Sequence, residues 1–353
     1  MQQNQNEEVI TGSKVCEFKG ENGPQSPAFL FSVGSDDPLA LERFKLIEGT
    51  PPSFNNWCDI ERLLQTMTHL ATGWLKNYGI VQCIAVGDKH GNPCGATIKS
   101  NEIDAVRDMV RGNDKSIFGG FVLVNFRVTR EIAEAMAQAM PGGRAMFDGV
   151  IAPYFDEDAI EVLARKKGKC RLMTNPALDV ANTVAENLCL DMTPRFRYVR
   201  GGFLLEPNYT FVLDFKHPEM KVYGQRNERA ENNLLLAWAV GCTSNSNTIT
   251  IAANSALIGN GVGQQDRVGA AKLAIERAVD AGHKALLEGA VAYSDSFFPF
   301  EDGVRVLIDA GITAVFSTSG SIRDKFVQDL CVEKGVTLYQ LPDALARGFF
   351  AHG

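Results

Sequence analysis

The sequence predicts an α/β protein made of two similar halves, each a largely parallel β-sheet covered by helices. Short apolar runs alternate with amphipathic helical stretches, the pattern of strands joined by crossover helices. The same order of elements occurs twice along the chain. The length of 353 residues also exceeds what one hydrophobic core usually serves.

The two halves agree in element order and not in residue identity. The first half is predicted to contain a helix at 59–77, a strand at 80–86, a glycine-rich loop at 89–95, helices at 102–110, 129–140 and 156–168, and strands at 118–125, 147–153 and 169–173. The second half is predicted to contain helices at 228–241, 267–282, 302–311 and 321–335, strands at 247–254, 290–295, 312–318 and 336–341, and a glycine loop at 258–265. We divide the chain into a tail (1–14), a first half (15–185) and a second half (186–353) that begins with a connector.

Composition and charge exclude several classes of protein. The net charge of −7 argues against general binding to nucleic acid or to an anionic membrane surface. No apolar stretch is long enough for a membrane span, and the polar N-terminus lacks the apolar region of a signal peptide. We expect a cytoplasmic protein that acts on small molecules.

The cysteines predict neither a disulfide framework nor a metal site. All eight are scattered without a CxxC pair, as expected for reduced thiols. Pro93-Cys94 is reminiscent of zinc-dependent nucleobase deaminases, which need a PCxxC pair and a further His or Cys. Position 97 is Thr and His90 precedes Gly91-Asn92, so three zinc ligands cannot be assembled. We expect no catalytic metal.

Residues 86–97, VGDKHGNPCGAT, place Lys89 and His90 together in a segment rich in Gly and Pro. An apolar run precedes them, so a fixed turn is expected to present both side chains at the end of a rigid strand. Catalytic groups are often placed in this way. On local grounds alone, a solvated loop that happens to contain Lys and His is the alternative.

The glycines at 259–263 invite comparison with a dinucleotide-binding loop. That loop needs a strand directly before it and an acidic residue ending the next strand. Here the preceding residues predict a hairpin around Asn254-Ser255, and 282–290 contain no such strand. We expect no nicotinamide site, although a tight turn at a helix N-terminus still suits an anion or a polar ligand edge.

Two further stretches allow either a structural or a ligand-binding role. SDSFFPFED at 294–302 provides either core aromatics or a flat aromatic wall with a carboxylate, which suits a pterin or purine. Ser321, in the segment 320–324, either caps its helix or lies where the helix N-terminus holds a ligand.

Taken in order, KHGNPCG, SIFGG, VIAP, SNS, GNGVGQQDR, SDSFFPFEDG and SGSIRD resemble one family. The chain, from about Phe18 to its C-terminus, is similar to the AICAR transformylase domain of bifunctional AICAR transformylase/IMP cyclohydrolase. The resemblance implies duplicated cytidine-deaminase-like subdomains without zinc, and a homodimer with active sites at the subunit interface. We expect a stand-alone transformylase that relies on a separate IMP cyclohydrolase, and the apolar helix at 232–241 to help bury the dimer interface.

The implied reaction transfers the formyl group of the co-substrate 10-formyltetrahydrofolate to the 5-amino group of AICAR, giving FAICAR. The amine must lose a proton as it attacks, and the folate nitrogen must gain one to leave. By resemblance, His90 is the proton acceptor, Lys89 stabilises the transition state and Asn245 orients the histidine and the substrate.

The other matched positions fall into two pockets. The resemblance assigns Lys19, Asn56, Phe118, Gly119, Asp148, Phe297 and Arg347 to AICAR binding. It assigns Arg267, Val268, Asp302, Ser321 and Ile322 to folate binding.

The chain departs from the family pattern at two places. RYGENPHQ is replaced by FKGENGPQ, so Phe18 stands where an arginine is expected to grip the phosphate of AICAR. Lys19 can supply the charge but not a bidentate contact. FFPFRD is replaced by FFPFED, which places Glu301 where arginine is common.

Two rival functions stay open. One is formyl transfer to a related amino-imidazole, and the other is a non-catalytic AICAR or folate sensor. A sensor needs no proton-transfer pair, so the presence of Lys89, His90 and Asn245 favours catalysis.

Overall fold

The computed structural model describes residues 8–179 and 190–351. Its strands are β1 (Ser13–Phe18), β2 (Ala28–Ser32), β3 (Lys45–Glu48), β4 (Cys83–Lys89), β5 (Asn92–Lys99), β6 (Phe121–Val124), β7 (Gly149–Ala152), β8 (Arg171–Thr174), β9 (Arg195–Val199), β10 (Gly202–Glu206), β11 (Lys221–Tyr223), β12 (Ile249–Ala253), β13 (Ala256–Gly261), β14 (Val291–Ser294), β15 (Ala314–Ser319) and β16 (Thr337–Pro342). Its helices are α1 (Phe54–Tyr78), α2 (Glu102–Gly112), α3 (Asp114–Ile117), α4 (Arg130–Ala137), α5 (Glu157–Leu163), α6 (Glu228–Gly241), α7 (Arg267–Asp280), α8 (Glu301–Asp309), α9 (Asp324–Glu333) and α10 (Asp343–Ala346).

The prediction of an α/β fold is confirmed, and both halves contribute to one 12-stranded sheet. The strand order is β11-β16-β15-β14-β12-β13-β5-β4-β6-β7-β8-β3. From the centre outward, each half has a hairpin, three mutually parallel strands and an antiparallel edge strand. The halves meet where Ala256 of β13 pairs with Thr97 of β5. The parallel strands lie in the predicted strand–helix series, whereas the hairpins make the whole sheet mixed.

Helices cover both faces of this sheet because alternate residues of each strand point to opposite sides. In β6, Phe121 and Leu123 belong to the core under α1 and α6, while Val122 and Val124 face α2, α4 and α5. In the second half, α7, α8 and α9 cover the face opposite α6. The interior of each half is therefore a sheet between two helical layers.

The glycine-rich loops predicted at 89–95 and 258–265 are shorter than expected, because β5 already begins at Asn92 and β13 continues to Gly261. Most of these residues belong to hairpins whose turns lie at His90-Gly91 (φ 56° and 68°) and Asn254-Ser255 (φ 52° and 57°). The hairpin predicted at Asn254-Ser255 is confirmed.

The glycines in these strands allow a helix to approach the sheet closely. A Cβ on Gly261 would lie 2.1 Å from the carbonyl oxygen of Ala270 in α7. In the other half, a Cβ on Gly95 would lie 2.2 Å from the carbonyl oxygen of Met109 in α2. Here glycine marks tight helix–strand packing and not a loop.

Helix α6 does not supply a dimer surface, contrary to the expectation for residues 232–241. Leu234, Leu235, Leu236 and Trp238 are fully buried between the sheet and α1 of the same chain. Several exposed apolar side chains lie on the hairpin β9–β10 in the connector, where Tyr198 is 79% exposed.

Some predictions fall outside or at the margin of the described residues. The boundary between residues 185 and 186 lies outside them, and β1 begins at Ser13, inside the predicted tail. In the described ranges no helix is long and apolar enough to cross a membrane. The seven cysteines described there are all free thiols. The likeness of either half to cytidine deaminases stays a prediction.

Candidate active site

Four of the predicted site residues meet where β4, β6 and β7 reach one edge of the sheet. Lys89 ends β4, and its Nζ donates a hydrogen bond to the carbonyl oxygen of Phe118 at 2.6 Å. A Cβ built on Gly119 would lie 3.9 Å from both Lys89 Nζ and Asp148 Oδ1. Gly119 has a φ of 74°, a backbone conformation that favours glycine. We call the space beside Gly119, next to both this ammonium and the carboxylate of Asp148, the recess.

Asp148 is held in this recess by Arg165, which sequence reasoning missed. Arg165 Nη1 donates to Asp148 Oδ1 at 2.9 Å and to the carbonyl oxygen of Phe147 at 2.8 Å. The sequence predicts a helix through Gly168, but α5 ends at Leu163, so Arg165 is free to turn back toward the sheet. The helix start is confirmed, since Asp156 occupies the N-cap position. Arg165 stands in a run of basic residues, which is typical of the last turn of a helix, so the sequence indicated no contact with Asp148.

His90 is exposed at the tip of the β4–β5 hairpin. Two carboxyl groups accept hydrogen bonds from the backbone of this turn. The backbone N–H of Gly91 donates to Asp59 Oδ1 at 2.9 Å and to Asp88 Oδ1 at 3.1 Å. Sequence reasoning missed both aspartates. The available signal was Asp88 itself, a charged residue that directly follows the apolar run CIAVG in β4.

Burial changes the protonation of these carboxyl groups. Asp88 is fully buried, and its Oδ2 has no hydrogen-bond partner among residues 8–179 and 190–351. Desolvation raises the pKa of Asp88 well above its ordinary value, and it also raises the pKa of Asp59. Arg62, one turn further along α1, is also buried, which lowers its pKa to about 10. Arg62 therefore stays a cation at neutral pH.

The N-terminus of α1 brings Asn56 and Lys19 to the same edge. Ser53 and Asn56 form a capping box, in which Asn56 Oδ1 accepts from the backbone N–H of Ser53 at 3.0 Å. The carbonyl oxygen of Lys19 accepts from the N–H of Phe54 at 3.4 Å, which places the exposed Lys19 beside the helix start. We call Lys19, Asn56, Lys89, His90, Phe118, Gly119 and Asp148 the first group.

A second group of predicted residues lies at the ends of β14, β15 and β16. Arg267 forms an ion pair with Asp295, whose side chain is completely buried. A Cβ on Gly320 would lie 3.9 Å from the ring of Phe297 and 3.5 Å from Asp343. Phe297 thus lies over the start of the segment that leads into α9.

The chain end joins Asn245 and Arg347 to this second group. Arg347 Nη1 lies 3.8 Å from Asp343 Oδ2. The N–H of Gly348 donates to the carbonyl oxygen of Asp295 at 3.1 Å. The N–H of Gly263 donates to the carbonyl oxygen of Asn245 at 2.9 Å, and the N–H of the adjacent Ser246 donates to the carbonyl oxygen of Ala351 at the chain end at 3.0 Å.

Two of the five predicted folate positions, Val268 and Asp302, line an open depression of about 550 Å³, whereas Arg267, Ser321 and Ile322 are not part of its lining. At its rim Glu301 accepts hydrogen bonds from Arg323 Nε at 3.2 Å and Nη2 at 2.9 Å. The glutamate that departs from the family pattern therefore neutralises a neighbouring arginine. Ile322 is 99% exposed beside this depression.

The backbone N–H groups just before α9 are hydrogen-bonded to a side chain of the same chain. The carboxylate of Asp324 accepts from the N–H groups of Gly320 at 2.7 Å and Ser321 at 3.2 Å. Ser321 Oγ accepts from the N–H of Arg323 at 3.0 Å. The N-cap of α9 is Arg323, so the bond from Arg323 to Ser321 closes a turn ahead of the helix and does not cap it. The ligand-binding role of Ser321 stays a prediction.

The two groups share an edge of the sheet, where different strands carry them. Lys89 of β4 pairs with Asn92 of β5, and β5 contacts β13. Strand β13 pairs with β12, in which Ile249 pairs with Ser294 of β14. Four strand spacings separate β4 from β14, a distance of about 19 Å. Asn245, Arg267, Val268, Phe297, Asp302, Ser321, Ile322 and Arg347 make up the second group. No cluster of three or more metal-ligating side chains occurs in the described part of the chain.

Comparison with known proteins identifies relatives of the chain. A family model described as AICARFT/IMPCHase bienzyme matches residues 2–277. The bifunctional purine biosynthesis protein PurH of Anoxybacillus flavithermus is 34% identical over 319 residues, which cover 90% of this chain and 56% of that protein. The PurH protein of Aquifex aeolicus is 32% identical over 335 residues, covering 94% of this chain and 59% of its own length. The chain thus spans a little over half the length of the curated relatives it matches.

Proposed function

Because this chain belongs to the AICARFT/IMPCHase bienzyme family, we propose that it transfers the formyl group of 10-formyltetrahydrofolate to the 5-amino group of AICAR in purine biosynthesis. The observation that carries the proposal is the recess in which Lys89, Gly119 and Asp148 meet beside the His90 turn. Its groups suit a reaction in which one nitrogen loses a proton and another gains one.

In the proposed mechanism, His90 takes the proton of the 5-amino group as the nitrogen attacks the formyl carbon. Its position on a two-residue turn leaves the imidazole accessible to substrate while fixing its backbone. Lys89 holds its ammonium at the Phe118 carbonyl, where it stabilises negative charge on the formyl oxygen or protonates the departing folate nitrogen. Asp148 is an acceptor for the ribose or amine of AICAR, kept in place by Arg165.

The second group supplies the remaining contacts. Phe297 provides a flat apolar surface for the heterocycle, and Arg347 provides a cation for the phosphate. Arg347 is about half exposed and its contact with Asp343 is long, at 3.8 Å, so it can turn toward a ligand. Arg267, Val268, Asp302, Ser321 and Ile322 line the folate side.

We further propose that the chain acts as a homodimer in which the first group of one subunit meets the second group of its partner. The spacing of about 19 Å between β4 and β14, beside which the two groups lie, supports this, since AICAR and the folate must contact each other to react. The β9–β10 hairpin supports it too, because Phe196, Tyr198 and Leu204 are all more than half exposed.

The proposed reaction is tested by incubating the purified protein with AICAR and 10-formyltetrahydrofolate and following the release of tetrahydrofolate and FAICAR. We expect FAICAR to accumulate, with cyclisation performed by an IMP cyclohydrolase activity outside these 353 residues. Binding of both ligands without turnover would identify a sensor. Turnover of another amino-imidazole in preference to AICAR would identify the related formyltransferase.

A further inference from the structure

The β4–β5 turn stands on a pair of carboxyl groups from two different elements. Asp59 lies in the first turns of α1 and Asp88 near the end of β4, and both accept a hydrogen bond from the N–H of Gly91. The two carboxyl groups therefore lie side by side, within hydrogen-bonding distance of the same nitrogen. A hydrogen bond between two carboxyl groups requires a proton on one of them.

Among the described residues, one buried cation lies beside the two carboxyl groups. Arg62 of α1 is the buried cation beside the pair, and its Nη1 donates to the carbonyl oxygen of Thr243. Burying two like charges next to one cation leaves a net negative charge in a desolvated site, which is costly. Retaining one proton removes that cost and supplies a donor for Asp88 Oδ2, which otherwise has none within the described ranges.

We propose that Asp59 and Asp88 share a single proton and that this pair is the positioning element of the Lys89–His90 turn. The proposal rests on the proposed function for its kinetic consequences only. The pair fixes the N–H of Gly91, and Gly91 follows His90 directly, so the backbone of the catalytic turn is held from the core side. Asp59 and Asp88 touch neither substrate, and they act through the turn.

The charged and titratable groups that face the pair come from three elements. They are Cys58, Glu61 and Arg62 on α1, Lys89, His90 and Cys94 on the β4–β5 hairpin, and Arg195 of β9 next to Arg62. Desolvation raises the pKa of Cys94 above its ordinary range and that of Cys58 to about 11, so both thiols are neutral at neutral pH. When the pH rises, the loss of the shared proton of Asp59 and Asp88 therefore adds a buried negative charge at this site.

The proton itself is tested by infrared spectroscopy of the whole protein at neutral pH. A protonated carboxyl gives a C=O stretching band that moves in D₂O, and we expect it in the wild-type protein. It should vanish in Asp88→Asn and in Asp59→Asn, while persisting in Asp280→Asn, whose carboxylate is exposed at the end of α7. Absence of the band from the wild-type protein, or its persistence in both pair variants, would overturn the shared proton.

The positioning role is tested by hydrogen exchange of the Gly91 amide and by kinetics. Asp88→Asn keeps an acceptor and a donor, so Gly91 protection and kcat should stay within about threefold of the wild type, whereas Asp88→Ala should lower kcat about 10- to 100-fold with a smaller change in KM. The alkaline loss of activity caused by ionisation of the pair should be missing in Asp88→Asn. Equal damage by Asn and Ala, with an unchanged pH profile, would overturn the role. The infrared band and the Gly91 protection can behave as expected while no formyl group is transferred. That result would contradict the proposed function and still support the shared proton of Asp59 and Asp88.

Discussion

Arg165 reaches back from beyond the end of α5 to hold Asp148, with its Nη1 2.9 Å from Asp148 Oδ1. The same nitrogen also donates to the carbonyl oxygen of Phe147, so the guanidinium fixes both the backbone and the side chain at the start of β7. Because Asp148 faces the recess at Gly119, its orientation controls what the recess accepts. The pair is partly exposed, with 25% of the Arg165 side chain accessible, so its contribution to stability is modest.

Arg165→Ala should therefore impair AICAR recognition more than folding. We expect KM for AICAR to rise about three- to tenfold, with KM for the folate unchanged. Initial rates at varied concentrations of each substrate provide the measurement. Arg130→Ala is the matched control, since it removes only a surface pair with Glu134. Equal effects of the two substitutions would show that Asp148 needs no partner.

His90→Ala should lower kcat by about 10²- to 10⁴-fold, the usual range for a positioned acid–base group. AICAR should still bind within a few-fold, because the phosphate contacts are unaffected. Lys89→Ala should impair turnover comparably, and the double variant should lose much less than the product of the two losses. Single-turnover rates and AICAR binding distinguish these cases, and near-normal turnover in a well-folded His90→Ala protein would reject the catalytic role.

Lys19→Ala should raise KM for AICAR while leaving kcat and KM for the folate nearly unchanged, as expected for lost uniform binding. The reason is that Lys19 is the exposed cation beside the start of α1, next to the position where the family arginine is replaced by Phe18. Lys14→Ala, which removes a surface pair with Glu17 in β1, serves as the control. Unaltered AICAR affinity in Lys19→Ala would place the phosphate elsewhere.

Gly261→Ala should destabilise the protein by about 1–3 kcal/mol, because the new Cβ would press on the Ala270 carbonyl of α7. Gly143→Ala should be nearly neutral, since nothing lies within 4 Å of its Cβ position. Denaturant unfolding of both variants measures the difference. A stability loss of the same size in both would refute the close-packing explanation.

Leu204→Glu should shift the protein from dimer to monomer and reduce activity in parallel. Leu204 is 61% exposed on β10, so the monomer has room for the charge, whereas an apolar interface does not. Sedimentation across a concentration series gives the oligomeric state. Val332→Glu, at a 58% exposed apolar position on α9, is the control. A Leu204→Glu protein that stays dimeric would move the interface to another surface.

The sequence by itself determined the α/β class and the repeated order of elements, and it drew attention to Lys89 and His90 as neighbouring basic residues at the end of a strand. These follow from local signals: apolar periodicity defines strands and helices, and Lys89, His90 and Gly119 lie in short motifs. The hairpin at Asn254-Ser255 was likewise predictable, because two residues between apolar runs close a tight turn.

Only the tertiary structure decided what the glycines at 95, 259 and 261 do, and which carboxylates stand beneath His90. The sequence does not distinguish a glycine in a strand against which a helix packs from a glycine in a loop. The difference is visible only in the folded chain, which shows the helix that lies against the glycine. Asp59 and Asp88 lie 29 positions apart in the sequence and meet at Gly91 because α1 packs against β4. Local sequence records the conformation of each segment, whereas the energy of burying a charge depends on neighbours that only the folded chain brings together.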